Sequence, residues 1–319
     1  MSPQDQIMVL LRQARERISG EAISRRLGIS RAAVWKNIRE LRGQGYAIGA
    51  STKLGYHLVG LPDKLYAREI TAGLSTRCFG RAAYHFETLA STMPEAARLA
   101  ADKAAEGTVV VAEQQTKGKG RMGREWVSPS SGGIYLSLIL RPPLPPRDAA
   151  PLTLLTAVSW CAAVNRHTGI AAGIKWPNDI LCRGKKVAGI LTEMSADMDR
   201  VHSLIIGVGL NVNTDLANLP PGATALSVAA GKNFSRVELL KEILTLWEQN
   251  YFTALQTGWK SIFNRWRQLS VTLGRQVQFE DQGKRLKGEA VDIDSDGGLL
   301  IRIRTGKLIK KMSGDVSAA

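Results

Sequence analysis

Residues 21–41 read EAISRRLGISRAAVWKNIREL, and few folds accommodate that order. Ala22, Ile23 and Leu27 give one short helix an apolar face, and Gly28 ends it in a tight turn. Ser30 is placed to N-cap a second helix on which Val34, Ile38 and Leu41 recur at three-to-four spacing. Two helices joined through a glycine turn make a helix-turn-helix. Ile7, Val9, Leu10 and Leu11 supply an earlier apolar segment for a third helix to pack against. Tyr46-Ala47-Ile48 and residues 55–58 then read as strands around Thr52-Lys53, a β-hairpin wing. In this geometry the second helix enters a DNA major groove. Its candidate contacts are Ser30, Arg31, Trp35, Lys36 and Arg39, with Lys53 on the wing. Some of these position the helix through phosphate, and at most a few read base edges. Residues 1–61 hold ten Lys/Arg against four Asp/Glu, net +6 of the chain's +15, which favours an anionic polymer as partner. A winged helix used for protein contact is the alternative.

A chain of 319 residues is long for one core, so two or three domains are expected. No apolar run reaches the roughly 18–20 residues of a membrane span, and the N-terminus carries Asp5 and Arg12 where a signal peptide would be apolar. The chain reads as cytoplasmic. Cys78, Cys161 and Cys182 are odd in number and scattered, which argues against a disulfide framework or a zinc site. The histidines His57, His85, His167 and His202 are equally dispersed.

Leu61-Pro62-Asp63 marks a boundary, so the first domain is expected over residues 1–62. Residues 63–270 alternate helical and strand-like segments. Residues 92–106 are Ala-rich and helical, with Pro94 in the first turn, and residues 152–167 form a long apolar helix. Strand-like runs fall at 108–112, 134–140, 173–175, 186–193 and 203–210, and a further helical region spans 236–266. This is an α/β domain, a mixed sheet with helices on one side. Residues 271–319 show short alternating runs divided by Asp281-Gln282-Gly283 and Ser295-Asp296-Gly297-Gly298, a small β module of the SH3-like barrel type. The whole is a multidomain α+β chain.

The chemistry concentrates in Gly118-Lys119-Gly120-Arg121-Met122-Gly123-Arg124-Glu125-Trp126. Glycines let backbone amides approach an anion, the interleaved cations fix positive charge there, and the indole offers a flat face for a ring. The loop fits neither the P-loop nor the dinucleotide fingerprint. Four further segments accompany it: Ser91-Thr92 before a helix, Glu113-Gln114-Gln115 before the loop, Lys175-Trp176-Pro177-Asn178-Asp179 with Lys186 opening the next strand, and Gly207-Val208-Gly209-Leu210-Asn211.

In this order, the motifs resemble those of the biotin–protein ligases, and the N-terminal winged helix makes the chain similar to the bifunctional ligase/biotin operon repressors. The resemblance covers essentially the whole chain. It implies a catalytic domain of the class II synthetase-like type and a two-step reaction. Biotin and ATP give biotinoyl-5′-AMP and pyrophosphate, and the acyl group then moves to a lysine of biotin carboxyl carrier protein. Carried over by position, Ser91, Thr92, Met93, Gln115, Gly118, Lys119, Gly120, Arg121 and Lys186 would bind biotin. Lys186, Arg121 and Lys119 would stabilise charge at the reacting phosphorus. Arg124, Trp126, Lys175, Asn178 and Asn211 would serve the nucleotide, with Asp179 on Mg²⁺ directly or through water. Residues 215–226 would fold over the nucleotide. The resemblance also implies an adenylate-driven homodimer on operator DNA.

Two positions depart from the family pattern. Lys119 replaces the first arginine of Gly-Arg-Gly-Arg and loses its bidentate fork. Met93 replaces the asparagine of Ser-Thr-Asn, so it either contributes backbone and packing or leaves one polar contact missing. A lipoate– or octanoate–protein ligase, and a catalytically inert biotin-sensing repressor, are the competing functions.

Overall fold

Ser19 and Ser30 open the two helices expected of residues 21–41, each hydroxyl accepting the N–H three residues on at 3.1 Å. The structure, a computed structural model, describes residues 1–14, 16–51, 54–130 and 132–318. Lys53, the wing candidate for DNA contact, lies outside the described residues. The chain divides into two units, Met1–Asp63 and Lys64–Ala319.

In the first unit, α1 (Pro3–Gln13), α2 (Gly20–Leu27) and α3 (Arg31–Gly43) precede an antiparallel hairpin of β1 (Ala47–Ser51) and β2 (Gly55–Gly60). Gly28 takes φ +66° to end α2, a conformation that costs glycine little. Ile7, Met8, Leu11, Ile23, Val34, Ile38 and Leu41 fill the core. Val9, expected on the apolar face of the first helix, is instead partly exposed, because the buried stripe runs through Met8.

The second unit carries a seven-stranded sheet. Its elements are α4 (Ala67–Thr71), β3 (Ala83–Leu89), α5 (Thr92–Ala101), β4 (Val109–Gln115), β5 (Gly133–Leu140), α6 (Pro151–Thr168), β6 (Ala172–Lys175), β7 (Asp179–Cys182), β8 (Lys185–Ala196), β9 (Val201–Asn211), α7 (Leu226–Ala230), α8 (Arg236–Thr257) and α9 (Lys260–Leu269). The strand order is β3-β4-β5-β9-β8-β7-β6, with β3 and β4 parallel and the other neighbours antiparallel. Because side chains alternate along a strand, Val109 and Val111 face one side of β4 and Val110 the other. The first side packs on α6, α8 and α9. The expectation of helices on one side is corrected by the second: Met93, Ala96, Leu99 and Ala100 of α5 cover Val110, Ile139 and Ile205 there. The helical region expected over 236–266 is two helices, divided after Gly258 takes φ +81°.

The last module comprises β10 (Gln276–Asp281), β11 (Lys284–Ile293), β12 (Leu299–Ile303), β13 (Leu308–Lys311) and β14 (Ser317–Ala318). They form an SH3-like antiparallel sheet of order β13-β12-β11-β10-β14, and among the described residues no β13–β14 ladder closes it into a barrel. The indole of buried Trp176 donates to Gly297 O at 3.2 Å, tying this module to the β6–β7 turn. Among the described residues, no helix is long and apolar enough to cross a membrane.

Candidate functional site

The start of α5, the end of β4, the glycine loop, the start of β7 and the facing stretches of β8 and β9 converge on one cleft. Its floor is made by glycines. Gly189 and Gly209 face each other across β8 and β9, and a Cβ on either would collide with the Trp126 indole. Gly207 does the same for Met93, whose buried thioether lies across it. A strand glycine marks such a close approach.

One end of the cleft is neutral and polar. Ser91 caps α5, its Oγ accepting the Met93 N–H at 3.4 Å. Gln115 Oε1 accepts from Thr92 N at 2.8 Å and Thr92 Oγ1 at 3.2 Å, while its Nε2 donates to Ser128 Oγ at 2.9 Å. Gly118 stands behind this group, where a Cβ would press on Trp126 O, Ser128 Oγ and Gln115 Nε2. Gly118 is thus a packing requirement and does not line the cleft. Met93, in place of a polar residue, contributes packing.

The other end is cationic. Arg121 donates to Asn178 Oδ1 at 2.8 Å, and Asn178 Nδ2 donates to Ile190 O at 2.8 Å, so the guanidinium is anchored to β8 through one amide. Lys186 Nζ lies 2.7 Å from Asp179 Oδ1, a charge contact not aligned as a hydrogen bond, and 5.3 Å from the Trp126 ring centroid. Lys119 is exposed, with its ammonium 4.0 Å from Glu193. Arg124 Nη2 donates to both carboxylate oxygens of Asp315, at 2.8 and 2.6 Å, bringing the last module to the glycine loop. The Arg124 guanidinium, opposed by partial burial, holds the Asp315 carboxyl below its ordinary range. Met122, at the loop's tip, takes φ +56°, strained for a residue with a side chain.

Not every candidate meets the cleft. Lys175 and Asn211 do not line it. Asn211 is buried, its amide donating to Thr224 O at 3.1 Å while its Oδ1 has no partner. Among the described residues no group of three or more His, Cys, Asp and Glu is placed to hold a metal, and Asp179 is the carboxylate nearest Lys186. The cleft also contains Gly189, Gly207 and Gly209, which lie in the motif segments without a role of their own, and Asp315, which no motif includes. The glycines had a signal, an alternating Gly-x-Gly within a strand; Asp315, far away in sequence, had none.

Beneath β4, Glu113 is buried with Arg236, whose Nη1 lies 2.9 Å from Glu113 Oε2 and donates to Gly133 O at 2.8 Å. Glu113 Oε1 accepts from Leu65 N at 2.8 Å and lies 3.4 Å from His85 Nε2. Burial pushes this carboxyl up, yet His85, Arg236 and the Leu65 N–H outweigh it and bring it down to about 2.

In the first unit, Ser30, Arg31, Trp35, Lys36 and Arg39 are all exposed on α3, opposite the buried stripe. Trp35 is 55% exposed, large for an indole, and the Arg39 guanidinium stacks 4.9 Å from its centroid.

The cleft can take an elongated ligand with an uncharged polar head, an anionic end among cations, and a ring against an indole. Comparison with known proteins narrows that class. Residues 86–211 match the Biotin/lipoate A/B protein ligase family, residues 3–57 an HTH domain, and residues 272–318 the Biotin protein ligase C terminal domain. The chain is 42% identical over 317 residues to the bifunctional ligase/repressor BirA of Bacillus subtilis, covering 98% of this chain and 97% of that one. It is 29% identical to the protein of the same name from Escherichia coli, over 94% and 92% of the two chains. Among solved structures, it is similar to the biotin protein ligase from Aquifex aeolicus in complex with biotin and ATP, with a TM-score of 0.64 and 31% identity over 74% of this chain and 98% of that one.

Proposed function

The chain belongs to the bifunctional biotin–protein ligase/repressor family, and from that membership we infer how its own residues carry out the reaction. It ligates biotin to protein at the expense of ATP, and it represses transcription. In the first step a biotin carboxylate oxygen attacks the α-phosphorus of ATP. The new P–O bond forms as the bridge to the β-phosphate breaks, releasing pyrophosphate and leaving biotinoyl-5′-AMP. Two anions must meet for this to happen. Arg121 and Lys186 remove their repulsion and stabilise the charge that grows on phosphorus, and Arg121 arrives already oriented by Asn178. Lys119 contributes a more exposed charge.

Ser91, Thr92 and Gln115 hold the ureido head, whose N–H and C=O groups match hydroxyl and amide partners. Trp126 stacks on adenine. Arg124, Lys175 and Asn178 serve the phosphate side. One protein carboxylate, Asp179, fits a Mg²⁺ that takes its other ligands from phosphates and water. Such an ion would neutralise the leaving pyrophosphate.

In the second step the ε-amine of a carrier-protein lysine attacks the acyl carbon and the C–O bond to AMP breaks. The adenylate is a mixed anhydride, so no nucleophilic side chain is needed from this chain. Adenylate-bound protein forms a homodimer that sets two α3 helices on a palindromic operator, gaining by effective concentration. Ser30, Arg31, Trp35, Lys36 and Arg39 are the contacts on each half-site.

The observation that carries this reading is the polarity of the cleft, neutral donors at one end and Arg121, Lys186 and Trp126 at the other. Lys186→Ala tests it. Biotin-dependent ATP–pyrophosphate exchange should fall by about a hundredfold or more, consistent with loss of an electrostatic group at the reacting centre. Exchange within threefold of wild type would remove Lys186 from the chemistry.

A further inference from the structure

Behind the neutral end of the cleft, five residues form one hydrogen-bonded chain whose direction the geometry determines. Gln115 Oε1 accepts the Thr92 backbone N–H at 2.8 Å, so the amide nitrogen must point the other way, to Ser128 Oγ at 2.9 Å. The Ser128 proton goes to Trp126 O at 3.1 Å, an atom that only accepts. The Thr92 hydroxyl gives its proton to Gln115 Oε1 at 3.2 Å. In the 2.8 Å contact between Thr92 Oγ1 and Ser137 Oγ either hydroxyl can donate, and with the Thr92 proton on Gln115 Oε1 the donor is Ser137. From Gln115 onward every proton points toward the Trp126 carbonyl. Ser137 is wholly buried, Thr92 and Ser128 nearly so, and hydrogen bonds aligned in this way polarise one another.

The consequence is an inventory. Gln115 has both oxygen lone pairs committed and, among the described residues, one amide N–H left over. Ser91 Oγ accepts from Met93 N and keeps its proton. Toward a ligand the Gln115 side chain can therefore only donate, while the Ser91 hydroxyl can offer its proton or its remaining lone pair. Ser128 and Ser137 do not line the cleft, yet they set that polarity.

We propose that Ser128 and Ser137 are positioning residues that lock the Gln115 amide and the Thr92 hydroxyl, making the head pocket select a neutral carbonyl and reject a cation of the same shape. This rests on the ligase reading and adds a specificity device to it. Biotin, with a ureido carbonyl, is the preferred head group. 2-Iminobiotin, whose carbonyl oxygen is replaced by a nitrogen that is protonated near neutral pH, meets a Gln115 amide that can only donate.

The test is ATP–pyrophosphate exchange by the full chain at pH 7.5 with each acid, for wild type, Ser128→Ala, Ser128→Thr and Ser137→Ala. Losing one hydrogen bond within such a chain should raise the KM for biotin by about tenfold, with kcat and the KM for ATP within about twofold. The preference for biotin over 2-iminobiotin, as a ratio of kcat/KM, should shrink by about tenfold in each alanine variant as the amide and hydroxyl gain freedom. Ser128→Thr keeps the hydroxyl and should keep the preference. If Ser128→Ala fails to fold by circular dichroism, Ser137→Ala carries the same comparison. An unchanged preference in the folded alanine variants, or a threonine variant that behaves like alanine, would overturn the proposal. Wild-type protein inactive with biotin would overturn the ligase reading itself, and this one with it.

Discussion

Gly209→Ala isolates the glycine floor under Trp126. A Cβ at this position would lie 2.9 Å from Trp126 Cδ1 and nearer still to Nε1 and Cε2. Ordinary carbon contact is about 3.5–4.0 Å, so the indole must lift by about 1 Å. The β9 backbone cannot yield, because Gly209 is paired on both sides, to Tyr135 of β5 and Gly189 of β8. The Trp126 ring, partly exposed on a loop, moves instead. Stacking of a base on an aromatic ring is worth about 1–3 kcal/mol, and displacing the ring should forfeit about half of it. The KM for ATP in pyrophosphate exchange should then rise by about 2- to 12-fold, since each 1.4 kcal/mol is about tenfold. Biotin affinity by titration calorimetry without nucleotide should change by less than about twofold, because the polar head pocket is built from α5 and β4. An unchanged KM for ATP, or a loss confined to biotin, would refute the assignment of Trp126 to the adenine.

Three further outcomes follow from other parts of the structure. Arg121→Gly should weaken retention of the adenylate more than initial biotin affinity, since the guanidinium belongs to the cationic end; equal losses in calorimetry would contradict that. Glu113→Gln should cost about 3 kcal/mol in denaturant unfolding by removing the carboxylate charge that lies 2.9 Å from the buried Arg236 guanidinium. Glu113 has a depressed pKa, from an ordinary 4.5 to about 2, so its contribution is complete above pH 4.5 and lost as pH falls toward 2. Wild type should therefore lose stability through that window more steeply than Glu113→Gln, and parallel acid curves would deny the pairing. Deleting residues 1–62 should abolish operator binding in a mobility-shift assay while leaving some ligation; retained operator binding would displace DNA recognition from α3.

The parts legible in the sequence were those where chemistry and local order coincide. Ser30, Gly28 and the Val34, Ile38, Leu41 stripe announce a helix-turn-helix because capping, termination and periodicity all act within one short stretch. The glycine loop was legible for a similar reason, since its charges and its flexibility are adjacent. β3 was not, because it is an edge strand with no fully buried residue, so its apolar positions follow no clean alternation. β7 is only four residues long, and its pattern is too short to count. The helix expected over 92–106 stops at Ala101, where Asp102 caps it and Lys103 turns to φ +62°, a turn that no glycine or proline announced. Ser128, Ser137 and Asp315 escaped notice because their roles depend on partners brought together by the sheet and the last module, and nothing near them in sequence marks it.

The central claim is that this cleft adenylates biotin, and ATP–pyrophosphate exchange measures that directly. Wild-type protein incubated with ATP, Mg²⁺ and labelled pyrophosphate should return label to ATP when biotin is added, and should not do so with lipoate or octanoate. Exchange supported by lipoate or octanoate in place of biotin, or by none of the three acids in folded protein, would contradict it.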